Sequence, residues 1–426
     1  MIMPSILWFL YNLRKSQYYK LGDLEKLQNK KLASLIKHAY DNSQFYHRRF
    51  REAGLRPEDI KDKEDLKKIP ITTRIDVQDN LYQFVSKELN PENCQRYTSS
   101  GSTGIPVTVF VHGNSEAYRA ALFARPFLEN GLRLYDKMLR ITAVHSANVH
   151  WYEKFGIMRK MCVSPVEPLD SVIPLFEKYR PDAIFGNSSY LLLLAEKKNE
   201  INPTFSPRLI FSTAELLSLR SRKEIESAFN QKVFDLYGSV ETERLAWECS
   251  EHTGYHMDVD SHVMEFVDNP NENVSYGERG EILVTPLYNY SMPLIRYEIG
   301  DIGVPVDDEC PCQRGLPLME RIEGRISNFI LLPDGRLIPP TAFLDLDDVS
   351  GIRKFQVVQL KENLINVRLV TNNSFTNEIH SQITEVLKKI VGNEVDIVID
   401  YFEDIPRESS GKYMTVKSML RSARMV

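Results

Sequence analysis

Apolar positions fall into three stretches with different periods. Over 23–54, Leu24, Leu27, Leu32, Leu35, Ile36 and Ala39 recur at helical spacing with Lys and Asp between them. That spacing predicts one amphipathic helix, closed by Gly54 and Pro57. Farther on, short apolar runs at 140–144, 183–185, 209–212 and 233–237 alternate with helical segments at 171–179 and 221–229. Such alternation predicts an α/β body with largely parallel pairing. Ligands of such bodies gather beyond the carboxyl ends of strands, which is where Tyr237 and Gly238 fall.

After about residue 325 the pattern changes. Two strand-like runs, 354–359 and 364–371, flank a polar Lys361-Glu-Asn363 turn, followed by an amphipathic helix over 376–391 and a strand over 395–401. This β-β-α-β unit is compatible with a separate small α+β domain. The expected division is 1–324 and 325–426, joined near 324–328 and the Pro333-Asp-Gly335 turn. A length of 426 residues agrees with two domains.

Charge adds one asymmetry. The net charge of −5 argues against general nucleic-acid binding, yet residues 1–80 carry sixteen Lys/Arg against eleven Asp/Glu, leaving −10 for the rest. That basic segment opens with Ile6, Leu7, Trp8, Phe9, Leu10 and Tyr11, which suits either weak contact with an anionic membrane surface or a stub packed on the body. The run is too short to span a bilayer, and it lacks the flanks of a signal peptide. Five cysteines, an odd number, give no disulfide framework, so the cytoplasm is the expected location. The oligomeric state is open.

The densest candidate chemistry is Tyr97-Thr-Ser-Ser-Gly-Ser-Thr-Gly-Ile-Pro106. Small residues let backbone N–H groups and hydroxyls turn toward phosphate oxygens, although the Gly-Lys-Ser/Thr ending of a Walker A loop is missing. Three more segments follow in order: Asp235-Leu-Tyr-Gly-Ser-Val-Glu241, Pro293-Leu-Ile-Arg-Tyr-Glu-Ile-Gly-Asp301, and Ile322-Glu-Gly-Arg325 with 406–412 near the C-terminus. In order and spacing these resemble the core motifs of adenylate-forming enzymes. The nearest branch is the phenylacetate–CoA ligase-like proteins, including members tied to capsular polysaccharide synthesis. Shared features also include 35–50, Ile69-Pro-Ile-Thr-Thr73 and Met292-Pro-Leu-Ile-Arg-Tyr297. The resemblance covers nearly the whole chain.

The resemblance implies a large N-terminal α/β adenylate-forming domain and a small mobile C-terminal α+β domain. It implies that Ser99, Ser100, Gly101, Ser102, Thr103 and Gly104 hold phosphates and that Thr213, Ala214 and Glu215 lie by the adenine. Tyr237, with Gly238 and Ser239 beside it, would face the adenine, Glu241 would bind Mg²⁺, Asp301 the ribose hydroxyls, and Arg325 a point near the ribose. Lys412, in the Ser410-Gly411-Lys412 turn, would be the adenylation lysine, stabilising charge on the pentavalent phosphorus. The small domain must then close for adenylation and swing about 324–328 for transfer. Each residue also has a plainer role open to it: Asp301 as a turn former after Gly300, Glu241 as a carboxylate near a helix start, Tyr237 as packing at a strand end.

Two departures stand out. Ile105 occupies a position where many relatives have lysine, and Val240 one where they have a threonine or serine hydroxyl. Thr242 is near, but its side chain is expected to point elsewhere.

A second constellation is Cys249, His256, Cys310 and Cys312. Cys-x-Cys with a distant Cys and His can supply four tetrahedral zinc ligands if the two arms are neighbours in the fold. The alternative is reduced thiols on turns. Similar Cys clusters occur in relatives of this branch. His256 is preferred to His252 because the Gly254-Tyr255 turn can fold it back. Cys94 and Cys162 read as packing residues. His145, His150 and Trp151 follow a predicted strand and are candidates for an acyl pocket or for an edge of the core.

The expected function is ATP- and Mg²⁺-dependent activation of a small carboxylic acid as acyl-AMP, then transfer to coenzyme A. Two alternatives stay open: transfer to an amine or hydroxyl in surface-polysaccharide synthesis, and a degenerate relative that binds nucleotide without turnover.

Overall fold

The computed structural model describes residues 2–99, 106–142, 151–198, 206–269, 272–408 and 411–420. The chain forms two compact units, Met1–Arg133 with Phe234–Ile322, and Leu134–Val233 with Glu323–Val426.

In the first unit the predicted 23–54 helix is two helices, Leu21–Asn42 and Gln44–Glu52. Ser43 separates them: its backbone is extended, and its hydroxyl accepts from the Tyr46 N–H and donates to the Gln83 carbonyl. A serine cap of this kind satisfies an otherwise unpaired N–H of the second helix, so the chain turns there. The buried stripe Leu24, Leu32, Leu35, Ile36 and Ala39 is as read.

The same unit holds a sheet that the apolar pattern did not reveal. Strands Tyr255–Met257, His262–Asn269, Gly280–Pro286, Tyr297–Val306 and Leu318–Arg325 belong to it, and Gly280–Pro286 runs antiparallel to both His262–Asn269 and Tyr297–Val306. Gly280–Pro286 is buried at nearly every position, so alternation of apolar and polar residues is lost.

In the second unit Lys137–Ile141 lies parallel to Arg159–Val163 and Ala183–Asn187, and the latter is parallel to Leu209–Thr213. Helices Leu169–Tyr179 and Leu219–Phe229 match their predicted segments, the second capped by the Ser218 hydroxyl. The C-terminal sheet runs in the order Asp396–Tyr401, Leu364–Thr371, Ile352–Lys361, Val416–Ser418. Its central pair is antiparallel and both outer strands are parallel to their neighbours. Helix Asn377–Val391 starts at the Thr376 cap and buries Ile383, Leu387 and Val391 in a core with Phe355, Val357, Ile365 and Val367. Val416–Ser418 is an addition to the predicted β-β-α-β unit. The chain is therefore a mixed α/β protein with a small C-terminal α+β layer. Among the described residues no helix is long and apolar enough to cross a membrane.

Candidate active site

In the first unit Val233–Ser239 delivers Tyr237, Gly238 and Ser239, and a sharp return leads into Glu243–Glu248, its antiparallel neighbour. The register shifts between Tyr237 and Gly238. A side chain on Gly238 would come within 2.3 Å of the Glu243 carbonyl oxygen, so this bulge admits only glycine. Tyr237 is nearly buried, and its hydroxyl donates to Asp301 Oδ2 at 2.9 Å. Asp301 lies in Tyr297–Val306, just after Gly300, whose φ is +79°. Two motif residues far apart in sequence thus meet directly.

Glu241 is also buried, and Arg74 Nη2 reaches its Oε1 at 3.4 Å. The same Arg74 nitrogen donates to Ser99 Oγ at 2.9 Å, and Ser99 Oγ accepts from the Val107 N–H at 2.9 Å. Ser99, the first residue of the proposed phosphate loop, is thereby fixed at the edge of the Thr108–Val111 strand. Arg74 was missed by motif reading. Its one signal is position, directly after Ile69-Pro-Ile-Thr-Thr73, where Thr73 caps the Arg74–Asp79 helix through a reciprocal bond with Asp76.

The departures can be placed in part. Val240 is partly exposed and its carbonyl accepts from Arg119. Thr242 is fully buried, with its hydroxyl against Ser239 Oγ at 2.9 Å. Ser100, Gly101, Ser102, Thr103, Gly104 and Ile105, with His145 and His150, lie outside the described residues. Trp151 opens the short helix Trp151–Phe155.

In the second unit Thr213 ends Leu209–Thr213, and Ala214 has φ +71°, a strained value for a residue with a side chain. That kink turns Glu215 toward a set of donors: the Ser189 N–H at 2.9 Å, Asn187 Nδ2 at 3.3 Å and the Tyr413 N–H at 2.8 Å. Glu215 therefore anchors the residue that follows Lys412. Lys412 is half-buried, and its carbonyl accepts from the Glu408 N–H at 2.9 Å, closing the turn. Gly411 packs so closely that a side chain would lie 2.7 Å from Pro165. Arg407 donates to the Pro165 and Ser189 carbonyls and lies over the Tyr190 ring. Arg325 is half-buried at the end of Leu318–Arg325, after Gly324 with φ +102°.

The cysteine cluster assembles as well. One donor atom from each of Cys249, His256, Cys310 and Cys312 lies within 4.8 Å of every other. Cys249 Sγ is 3.6 Å from Cys310 Sγ, and Cys312 Sγ is 3.2 Å from His256 Nε2. A tetrahedral zinc with the usual bond lengths sets sulfurs about 3.8 Å apart and sulfur and nitrogen about 3.5 Å apart. His256 Nδ1 faces the Leu316 carbonyl at 3.3 Å, which assigns the proton to Nδ1 and leaves the Nε2 lone pair toward the sulfurs. Burial holds His256 down at about 4, so the ring is neutral as a ligand must be. The residues fit a structural zinc ion. His252 lies instead against the Phe234 ring and Glu248. Cys94 packs in the main core and Cys162 sits in Arg159–Val163.

The fold, an α/β body carrying the Tyr-Gly strand end and a small C-terminal layer, is the fold of adenylate-forming ligases. Over 94% of this chain and 91% of the other it matches a structure of 2-hydroxyisobutyryl-CoA ligase in the postadenylation state with a bound acyl-AMP, at TM-score 0.81 and 21% identity. Residues 333–419 match the CapK C-terminal domain family. The chain is 28% identical to phenylacetate-coenzyme A ligase of Escherichia coli (strain K12), covering 92% of this chain and 94% of that one. It is 24% identical to Protein CapK of Staphylococcus aureus, covering 92% and 88%. The chain is thus similar over most of its length to phenylacetate-coenzyme A ligase and to CapK, in keeping with the resemblance carried by its motifs.

Proposed function

We propose that the protein is an AMP-forming acid–thiol ligase: it activates a carboxylic acid with ATP as acyl-AMP, releases pyrophosphate, and passes the acyl group to coenzyme A. The observation that carries this reading is the Tyr237–Asp301 hydrogen bond, which joins two nucleotide motifs in one place. Carboxylate attack on the α-phosphate needs the reactants aligned and the phosphate charge neutralised. Asp301 would supply the carboxylate for the ribose hydroxyls, Tyr237 its ring for the adenine, and Ser99 the opening of the loop for the phosphates. Glu241 would hold Mg²⁺, which supplies charge neutralisation at the phosphates, and Arg74 adds a cation beside it. Lys412 would stabilise the transition state, on a domain 325–426 that moves about 324–328 against 1–324. The Cys249–His256–Cys310–Cys312 set would hold zinc structurally, and five cysteines without a disulfide suit a reducing cytoplasm.

The test is ATP–pyrophosphate exchange against a panel of carboxylic acids. Exchange that depends on one acid class supports the reading, and folded, nucleotide-binding protein without exchange for any acid argues against it.

The likeness to CapK, with a CapK C-terminal domain over residues 333–419, keeps a second reading in view, in which the acyl group goes to an amine or hydroxyl of a surface-polysaccharide precursor. Comparing discharge of the acyl-AMP by coenzyme A and by amino sugars separates the two.

A further inference from the structure

The N-terminal helix Ile2–Ser16 shows the body only one of its two apolar faces. Ile6, Phe9, Leu10 and Leu13 pack on Tyr118, Ala121, Leu122 and Tyr288. The helix is pinned there: Arg125 donates to the Leu13 carbonyl, Ser16 donates to Asp260, and Arg14 pairs with Glu129. The outward face of a docked helix is ordinarily polar. Here it carries Leu7, Trp8 and Tyr11, which are 59%, 62% and 66% exposed. Tyr18 and Leu21 prolong the patch at 51% and 50%. At about 100° per residue, Leu7, Trp8, Tyr11, Arg14 and Lys15 fall within one arc of the helix.

Charge complementarity selects the occupant. Residues 1–22 contain Arg14, Lys15 and Lys20 and no acidic side chain, and both lysines are exposed. Trp and Tyr beside Leu, rimmed by bases, is the composition of helices that lie in the headgroup layer of an anionic bilayer. We propose that the exposed face of Ile2–Ser16, with Tyr18, Lys20 and Leu21, docks the protein on anionic phospholipid membranes without inserting a span. The proposal does not depend on the acid or acceptor of the reaction.

The experiment is co-sedimentation of the full chain with vesicles of phosphatidylcholine plus phosphatidylglycerol, and with phosphatidylcholine alone, at low and high salt. Binding is expected to the mixed vesicles only and to weaken with salt. Leu7→Ser/Trp8→Ser/Tyr11→Ser, all at exposed positions, should abolish it while the circular dichroism spectrum is unchanged. Lys15→Ala and Lys20→Ala should each weaken it about fivefold. Three results overturn the proposal: no wild-type binding to mixed vesicles at low salt, unchanged binding by the triple variant, or a dimer by light scattering that the triple variant dissociates without any loss of lipid binding.

Discussion

The Tyr237 hydroxyl donates to Asp301 Oδ2 at 2.9 Å, so the residue proposed against the adenine orients the carboxylate proposed for the ribose. Tyr237→Phe keeps the ring and removes that bond. A net hydrogen bond to a charged group is worth about 1.5–3 kcal/mol at most, so ATP affinity should fall about tenfold by calorimetry. Asp301→Ala should cost more, because the carboxylate itself is removed. Equal ATP affinity in Tyr237→Phe and wild type would remove the positioning role of this hydroxyl.

Lys412 is expected to act in one half-reaction. Lys412→Ala should lower acid-dependent ATP–pyrophosphate exchange about 10²–10³-fold. Discharge of a supplied acyl-AMP by coenzyme A should change far less, since phosphorus chemistry is over by then. A matching loss in both steps would assign Lys412 a structural part in the turn closed by Glu408.

Arg74 bridges Ser99 and the buried Glu241. Arg74→Ala leaves that carboxylate without this cation and frees the start of the phosphate loop. The expected result is a rise of about tenfold in KM for ATP, with Arg74→Lys restoring part of it. Full activity in Arg74→Ala would show that the bridge has no role in phosphate binding.

The metal cluster makes a physical prediction independent of turnover. About one zinc per chain is expected by elemental analysis, and Cys310→Ser should remove it. The ligand loop also grips the N-terminus: the Gly315 N–H donates to the Gln17 carbonyl at 2.9 Å, and Arg314 contacts Gln17 and Glu129. Chelation should therefore lower the melting temperature and speed proteolysis within the first twenty or so residues. Metal-free protein with an unchanged melting curve would refute the coupling.

His262 predicts acid sensitivity. Burial holds it down at about 4, outweighing the Thr242 and Asp258 carbonyls that face its ring. An unfolded histidine binds its proton near pH 6.5. Between those values the unfolded state holds more protons, so stability falls as pH drops from about 6.5 to about 4, by at most about 3 kcal/mol. His262→Gln should flatten that part of the profile in denaturant titrations at several pH values.

Local chemistry and long-range assembly are legible in the sequence to different degrees. Apolar period alone located Leu169–Tyr179, Leu219–Phe229 and the parallel strands Ala183–Asn187 and Leu209–Thr213, though not Arg159–Val163, because helical and strand periods are written into neighbouring residues. The motif residues and the four cluster ligands could be named one by one for the same reason, since their chemical types are visible. The break at Ser43 was not, because serine within a helical pattern signals a cap only when the chain has somewhere to turn, here toward Gln83. Gly280–Pro286 was hidden because burial on both faces erases alternation. Whether Cys249 and His256 meet Cys310 and Cys312 was decided by the antiparallel pairing of Tyr255–Met257 with Leu318–Arg325, which carries one arm to the other. The same holds for Tyr237 and Asp301, and for Arg74 reaching Glu241. The sequence by itself determined which groups are candidates for nucleotide and metal. Only the tertiary structure decided which of them touch, because contacts across long separations depend on strand register and turn geometry that no local run of residues encodes.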